Sequence, residues 1–157
     1  MVEMLSMNKK AFTLVELLVV MSIIGILAAV GIGSFRTTQM KGRDAQRKSD
    51  LKQISNSLDL YYADYGQYPS SAQVAWGSEF SDAKGTIYFK TVPSDPLTDN
   101  SYSYLYRVSA DSQMYQLFAQ LENTEDRDRI TTTYACGAAS GNCNYALTSA
   151  NTNASDW

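Results

Sequence analysis

One carboxylate lies at the edge of an otherwise uncharged, strongly apolar stretch, and it is the first candidate for chemistry in this chain. Glu16 is the only charged residue between Lys10 and Arg36. A carboxylate at membrane depth is energetically costly unless it is paired. Nothing in the adjacent sequence is expected to pair with Glu16. The sequence therefore predicts that this side chain binds a group supplied from elsewhere.

The composition gives an enzyme little to use. The chain has 157 residues and no histidine, which removes Ser-His-Asp and Cys-His catalysis and the commonest metal ligand. It has no glycine-rich phosphate-binding loop of the Walker or dinucleotide type. The net charge of −3 does not favour a polyanionic partner. We therefore expect no enzyme activity and no catalytic residues.

The apolar segment that contains this carboxylate is long enough to cross a membrane. From Leu17 to Phe35 no side chain ionises, and a helix of that length spans a hydrocarbon core of about 30 Å. Gly25, Ala29 and Gly33 recur at four-residue intervals on one helix face. This spacing allows close packing between helices, and the general tolerance of small residues in membrane helices is the equally weighted alternative.

The residues just before the apolar segment offer a cleavage site. Ala11 is a small residue directly after Lys9 and Lys10. A cut after Ala11 would free the amine of Phe12, which lies four residues, about one helical turn, from Glu16. In a stack of identical helices, the amine of one subunit could meet the carboxylate of its neighbour. Assembly would then be self-templating.

The run KKAFTLVEL resembles the class III leader junction of type IV pilins and type II secretion pseudopilins. The resemblance implies a leader peptide of residues 1–11, recognised through its two lysines and cut between Ala11 and Phe12 by a prepilin peptidase. It also implies N-methylation of Phe12 by the same enzyme and an assembly role for Glu16 in subunit registration. Glycine usually precedes the cut in this family, and Ala11 departs from that pattern. Because alanine is also small, cleavage is still expected.

The same resemblance implies partners and a location. The partners are further copies of the chain in a homopolymeric filament, the peptidase and methylase, an inner-membrane platform protein with its assembly ATPase, minor pilins, and membrane lipid before assembly. The subunit would cross the cytoplasmic membrane once, with its N-terminus in the cytoplasm, and then enter an extracellular or periplasmic filament. The lysines of the leader favour this orientation. Five cations beyond the apolar segment oppose it: Arg36, Lys41, Arg43, Arg47 and Lys48.

The chain beyond Arg36 continues as an amphipathic helix. Apolar residues recur there at intervals of three and four, namely Leu51, Ile54, Leu58 and Tyr61 or Tyr62. Gly66 and Pro69 supply a stop signal. The prediction is one helix of about 50 residues, roughly 75 Å long. Its transmembrane and assembly half is 12–35, and its amphipathic half is 36–66.

A basic cluster lies on this helix between Lys41 and Lys52. It could contact lipid headgroups or DNA. A solvated face that contacts other subunits is the favoured interpretation, and direct binding of DNA is not expected.

The remaining residues, 67–157, predict a small β-sheet head with a C-terminal loop. The strand candidates are 86–91, 102–108, 113–121 and 129–135, and a hairpin turn is expected at 109–112. Three or four antiparallel strands laid on the apolar stripe give a pilin-like α+β fold. The runs VPSDPLTDNSYSY and MYQLFAQLEN also look like those of pilin and pseudopilin heads.

Two carboxylates in the loop after 86–91 are weak calcium candidates. Asp95 and Asp99, with Asn100, offer oxygen ligands of the kind that calcium takes in some pseudopilin loops. Turn chemistry, in which these side chains bind the local backbone, is the favoured alternative because no ordered ladder of ligands is present. No other cofactor is expected.

Cys136 and Cys143 are the only cysteines of the chain. In an exported domain an even pair this close in sequence favours a disulfide. Such a bond would pin a glycine- and serine-rich loop that has no hydrophobic anchors. The tail from 148 to 157 is polar and, apart from Trp157, is expected to be mobile.

The sequence thus predicts a structural subunit of a type IV pilus-like filament. Its first alternative is a pseudopilin of a type II secretion or DNA-uptake machine. A third hypothesis, from a different class, is a membrane-tethered adhesin or other binding protein that keeps its leader and never polymerises. The cut between Ala11 and Phe12 discriminates this last hypothesis from the other two.

Overall fold

A computed structural model describes residues 12–98, 102–137 and 141–156, with the side chains of 30–34 left out. Within these ranges a single α-helix precedes five short strands: α1 (Leu14–Tyr65), β1 (Phe80–Ser81), β2 (Ile87–Phe89), β3 (Leu105–Val108), β4 (Tyr115–Ala119) and β5 (Tyr145–Thr148). The chain divides into two compact units, Met1–Thr38 and Gln39–Trp157. The predicted α+β class, with a long N-terminal helix and antiparallel strands, is confirmed.

Helix α1 is continuous over 52 residues, close to the predicted length. It ends at Tyr65, where the next residue, Gly66, adopts a φ of 65°. The Gly66 N–H donates to the carbonyl of Tyr62 at 2.7 Å, which satisfies one of the last carbonyls of the helix. The predicted stop signal is therefore where the helix ends.

The first unit contains the apolar half of α1. Its large hydrophobic side chains from Phe12 to Leu27 are between 49% and 86% exposed. Among the described residues, which omit the side chains of 30–34, no helix combines the length and the hydropathy needed to cross a membrane. The membrane-spanning role of this half stays a prediction.

The second unit holds two antiparallel sheets. Strands β1 and β2 form a two-stranded sheet, and β3, β4 and β5 form a three-stranded sheet with β4 in the centre. A turn of residues 109–112 joins β3 to β4, in which Ser112 has a φ of 57° and the Ser109 N–H donates to the Met114 carbonyl at 2.9 Å. The predicted hairpin is confirmed.

The predicted strand at 129–135 is wrong, and β5 takes its place as the third member of the sheet. Segment 130–135 instead pairs irregularly with 141–144, and Ala135 forms a single bridge with Asn142. The side chains of Thr132 and Asn142 take backbone partners there, so side-chain bonds compete with a regular ladder. The tail from 148 to 157 was expected to be mobile, yet Ser149 and Thr152 within it are buried.

The core of the second unit lies between α1 and the strands. The apolar stripe of the helix is buried against a cluster of aromatic and aliphatic residues, and all five residues of β4 are buried. The Tyr115 hydroxyl lies 2.8 Å from the hydroxyl of Ser55, which ties β4 to the helix by a polar contact inside the core. The sequence stripe thus identified the core-facing side of α1.

Candidate assembly site and charged cluster

Glu16 has a partner in its own chain. The Thr13 N–H and the Thr13 hydroxyl both donate to Oε2 of Glu16 at 2.8 Å. In return the Glu16 N–H donates to Oγ1 of Thr13 at 3.2 Å. This reciprocal arrangement is a capping box, and it starts helix α1. The expectation that nothing in the adjacent sequence pairs with Glu16 is wrong, and the spacing Thr-x-x-Glu was the signal for it.

The capping box satisfies hydrogen bonds but brings no positive charge. Thr13 is neutral, so Glu16 keeps the charge that the sequence analysis assigned to subunit pairing. Phe12, the residue expected to carry the pairing amine after cleavage, is described and is 86% exposed. Lys9, Lys10 and Ala11 lie outside the described residues. Cleavage, methylation and pairing through Glu16 therefore stay predictions.

The small residues of the assembly helix face open space where the structure describes them. A Cβ added at Gly25 would meet nothing within 4 Å. Ala29 is exposed. The surroundings of Gly33 lie outside the described side chains. Close packing of a second helix on this face stays a prediction.

A buried charged cluster lies near the start of the second unit, Gln39–Trp157, which is called the head from here on. Arg47 is wholly buried, and its guanidinium donates to both carboxylate oxygens of Asp95, at 2.7 and 3.0 Å. Its Nη1 also donates to Asp44 and to Glu122, each at 2.7 Å. Burial alone would lower the pKa of Arg47, but the bonds to these carboxylates raise it above its ordinary value. Tyr102 adds its ring, 5.1 Å from the guanidinium.

The carboxylate of Asp44 also binds backbone. It accepts the N–H groups of Glu122 and Asn123 at 2.9 and 2.8 Å. Arg43 donates to both carboxylate oxygens of Glu122, at 2.8 and 2.5 Å. The hydrogen bond from Arg43, followed by that from Arg47, holds the pKa of Glu122 below its ordinary value. The cluster therefore fastens the loop after β4 to helix α1.

A third cation extends this attachment along the loop. Lys48 donates to Asp126 at 2.8 Å and to Asp128 at 2.6 Å. Its ammonium also lies 5.4 Å from the centre of the Tyr145 ring. The bond from Lys48 holds the pKa of Asp126 below its ordinary value. Loop 121–128 is thus bound to α1 at both of its ends.

The interpretation of the basic cluster as a solvated face is wrong for three of its cations, Arg43, Arg47 and Lys48. Each of them binds a carboxylate that lies 75 to 80 residues later in the chain. Arg47 also binds Asp95, 48 residues later, and Asp44, three residues earlier. Lys41 and Lys52 are exposed, as predicted for the cluster as a whole. The missed signal is the apolar stripe itself, because stepping back from Leu51 by four and then three residues gives Arg47 and Asp44.

The calcium candidates are described only in part. Asp95 is buried, both its carboxylate oxygens accept hydrogen bonds from Arg47, and its Oδ1 also accepts the Leu97 N–H at 2.8 Å. Asp99 and Asn100 lie outside the described residues. Within the described ranges, no group of three or more acidic, cysteine or histidine side chains is placed to hold a metal ion.

A buried carboxyl beside the cluster, that of Asp50, has a raised pKa, whereas the pKa values of Glu122 and Asp126 are lowered. Burial raises the pKa of Asp50 above its ordinary value, and a hydrogen bond from the Tyr104 hydroxyl at 2.8 Å opposes this. Burial and the same bond also raise the pKa of Tyr104. This pair adds a further link between α1 and the segment before β3.

The predicted disulfide is present. Cys136 and Cys143 are bonded, with their Cα atoms 4.9 Å apart, and both are buried against Phe118 of β4. The next residue, Asn144, was not singled out from the sequence. Its amide accepts the Leu121 N–H at 2.6 Å and donates to the Leu121 carbonyl at 3.0 Å. The disulfide and this amide together place the start of β5 beside β4.

Comparisons with known proteins match both the N-terminal helix and the head. The prokaryotic N-terminal methylation motif matches residues 6–32, and the family model of type II secretion system protein G matches residues 35–128, more than half of the chain. The prepilin motif recognised in KKAFTLVEL is therefore confirmed. No solved structure matches the chain significantly.

The similar curated proteins include type II secretion proteins and a type IV pilin. The type II secretion system core protein G of Pseudomonas aeruginosa is 34% identical over 109 residues, which cover 62% of this chain and 74% of the relative. The protein of that name from Vibrio cholerae is 33% identical over 108 residues, covering 62% and 71%. The type IV major pilin protein PilA of Myxococcus xanthus is 32% identical over 65 residues, covering 41% and 30%. With its methylation motif, its long helix and its antiparallel head, the chain belongs to the type II secretion system protein G family of pilin-like structural subunits.

Proposed function

We propose that this chain is a filament subunit that is held in the cytoplasmic membrane by the first half of α1 until it is processed. A prepilin peptidase cuts between Ala11 and Phe12 and methylates the new terminal amine. The processed subunit then leaves the membrane and joins a filament through the same helix. The subunit performs no catalysis.

The observation that carries this proposal is the contrast along one continuous helix. The large apolar side chains from Phe12 to Leu27 are all exposed, whereas Leu51, Ile54 and Leu58 of the same helix are at most 1% exposed. Exposed apolar area of this extent is the mark of a surface that something else covers. Lipid covers it before assembly and the helices of other copies cover it afterwards.

The exchange of lipid for protein explains why a charge is needed. Lipid chains are as apolar as leucine side chains, so burial alone gives helices little reason to leave lipid for one another. Packing at Gly25, Ala29 and Gly33 and an ionic contact supply the preference instead. The amine of Phe12 and the carboxylate of a neighbouring Glu16 make that contact, since Thr13 leaves Glu16 charged.

Family membership supports a secretion-type filament as the place of this subunit, and a surface pilus is the second version of the same function. In either version the partners are the peptidase, an inner-membrane platform protein, an assembly ATPase and minor pilins. The N-terminus faces the cytoplasm, and the assembled head lies in the periplasm or outside the cell.

The test separates the charge of Glu16 from its role in starting the helix. Glu16→Gln keeps a side chain that can complete the capping box with Thr13, but it removes the charge. We expect Glu16→Gln and Glu16→Ala to abolish sedimentable filaments while cleavage after Ala11 and resistance to alkaline extraction from membranes stay unchanged. Normal filaments from Glu16→Gln would show that the carboxylate serves the helix start and not subunit pairing.

A further inference from the structure

The acidic loops of the head bind cations that belong to α1. Loop 121–128 carries four carboxylates, and three of them are paired with the helix: Glu122, Asp126 and Asp128. Asp95, in the loop after β2, is paired with the helix as well. Each of the two loops is therefore fastened to α1 through contacts between carboxylates and cations.

Calcium is the ion that the resemblance to pseudopilins offers for an acidic loop, but Asp95 does not fit it. Calcium takes about six to eight oxygen ligands at about 2.3–2.6 Å. Both carboxylate oxygens of Asp95 accept hydrogen bonds from Arg47, and Oδ1 also accepts the Leu97 N–H. The side chain of Asp95 is 1% exposed. Neither of its oxygens is left open toward a metal ion.

The guanidinium of Arg47 fills the space between the inner carboxylates. Its Nη1 lies 2.7 Å from oxygens of both Asp44 and Glu122, and its Nε and Nη2 bind Asp95. Four carboxylate oxygens from three separate segments thus surround one cation. A guanidinium keeps its charge throughout the physiological pH range. Unlike a bound ion, it cannot dissociate from the chain.

Lys48 has the same place in the outer part of loop 121–128. Its ammonium lies 2.8 Å from Oδ1 of Asp126 and 2.6 Å from Oδ2 of Asp128. These distances are close to the 2.3–2.6 Å or so that separate calcium from its oxygen ligands. The side chains of Lys48 and Asp128 are 26% and 62% exposed, so water reaches this position. The ammonium therefore occupies a point that also suits a hydrated hard cation.

We propose that Arg47 and Lys48 take the place of a calcium ion between these carboxylates, so that the head folds without a divalent cation. Because both cations are part of the chain, the two loops stay fastened at any external concentration of calcium. This inference concerns the folding of the head and does not depend on polymerisation.

Thermal unfolding of the full chain in detergent tests the proposal. The Tm is measured in about 10 mM calcium chloride, which is about ten times the weakest Kd typical of extracellular calcium sites. The reference is sodium chloride of equal ionic strength with EDTA. A calcium site at that saturation raises the Tm by about 5 °C. For the unsubstituted chain we expect the same Tm in both solutions.

Lys48→Met supplies the positive arm of the experiment. It removes the ammonium and leaves Asp126 and Asp128 in place, so we expect calcium to raise its Tm by about 5 °C over the reference. Arg43→Met is the matched control, because it removes a cation from the same loop while Glu122 keeps its bond to Arg47. Calcium should leave the Tm of the control unchanged. Lys48→Gln is a second variant, for use if Lys48→Met does not fold.

Two results would overturn the inference. One is a rise in the Tm of the unsubstituted chain in calcium. The other is a Lys48 variant that responds to calcium no more than Arg43→Met does. Either result would leave the proposed function intact, because neither bears on leader cleavage or on polymerisation.

Discussion

Arg47 and Asp95 form a two-point ion pair in the interior of the head, although 48 residues separate them in the chain. Nε and Nη2 of the arginine donate to the two carboxylate oxygens at 2.7 and 3.0 Å. The two side chains are 0% and 1% exposed. A pair of this kind costs solvation energy and stabilises the fold only while both partners are present.

Removal of the arginine should therefore destabilise the head strongly. Arg47→Met leaves Asp44 and Asp95 buried without their cation, and breaking a buried pair in this way costs about 3–5 kcal/mol. The free energy of unfolding, measured with the full chain in detergent, checks this. Arg43→Met is the matched control, because Arg43 is 29% exposed and Glu122 keeps its bond to Arg47. We expect the control to lose about 1 kcal/mol or less. Equal losses would show that burial of the cluster is not what makes it important.

The stability of the head should fall in acid. Arg43 and Arg47 hold the pKa of Glu122 below its ordinary value of 4.5, so its contribution is present above that value and is lost as pH falls through the lowered pKa. Burial raises the pKa of Asp50 above 3.8, so this carboxyl acts in the opposite sense and stabilises the fold more as it is protonated.

Two substitutions separate these contributions. Glu122→Gln should flatten the decline of the unfolding free energy below pH 4.5, and Asp50→Asn should make it steeper. Chemical denaturation of the full chain over a pH series measures both slopes. Glu125→Gln, at an exposed position of the same loop, serves as the control. A shift of the same sign from Glu122→Gln and Asp50→Asn would contradict the assignment.

Reduction of the disulfide should loosen the last strand before the rest of the head. Cys136 and Cys143 close a loop with a sequence separation of 7, and a loop of that size contributes about 2–3 kcal/mol by chain entropy. Because β5 begins two residues after Cys143, its amides should lose hydrogen-exchange protection first on treatment with reductant. The double variant Cys136→Ser with Cys143→Ser should show the same weak protection with or without reductant. Uniform loss of protection across β3, β4 and β5 would be inconsistent with a local role.

The amide of Asn144 should be needed for the same edge. Asn144→Ala would leave the buried N–H and carbonyl of Leu121 without the partners they now have. An unsatisfied buried polar group costs about 1–3 kcal/mol, and thermal unfolding measures the loss. Asn151→Ala, at an exposed turn after β5, is the control and should change little. Equal effects of the two substitutions would argue against a structural role for Asn144.

Local sequence patterns predicted helix α1 and the two strands of the hairpin, β3 and β4. The apolar stripe that includes Leu51 and Leu58, together with the stop at Gly66, predicted the length and the end of α1 because both depend on residues close in sequence. The hairpin between β3 and β4 was predictable for the same reason, since its turn and both strands are contiguous.

The charged cluster was harder to predict because its partners are distant in sequence. The periodicity of α1 places Asp44 and Arg47 on the buried face, yet charged residues are normally assigned to the surface unless a partner is known. Glu122 and Asp95 supply that partner only in the folded chain. The same limitation affected β5, because the disulfide and Asn144 that precede it contact Phe118 and Leu121, residues distant in sequence.

The central claim is that the chain becomes a filament subunit by losing its leader, and the intact mass of the polymerised protein tests it most directly. Filaments sheared from cells, or sedimented from the membrane fraction, should contain a species that begins at Phe12 and is heavier by one methyl group. Its presence in sheared material would favour a surface pilus, and its confinement to the membrane fraction would favour a secretion pseudopilus. Polymer that retains residues 1–11, or a full-length mass in both fractions, would contradict the account.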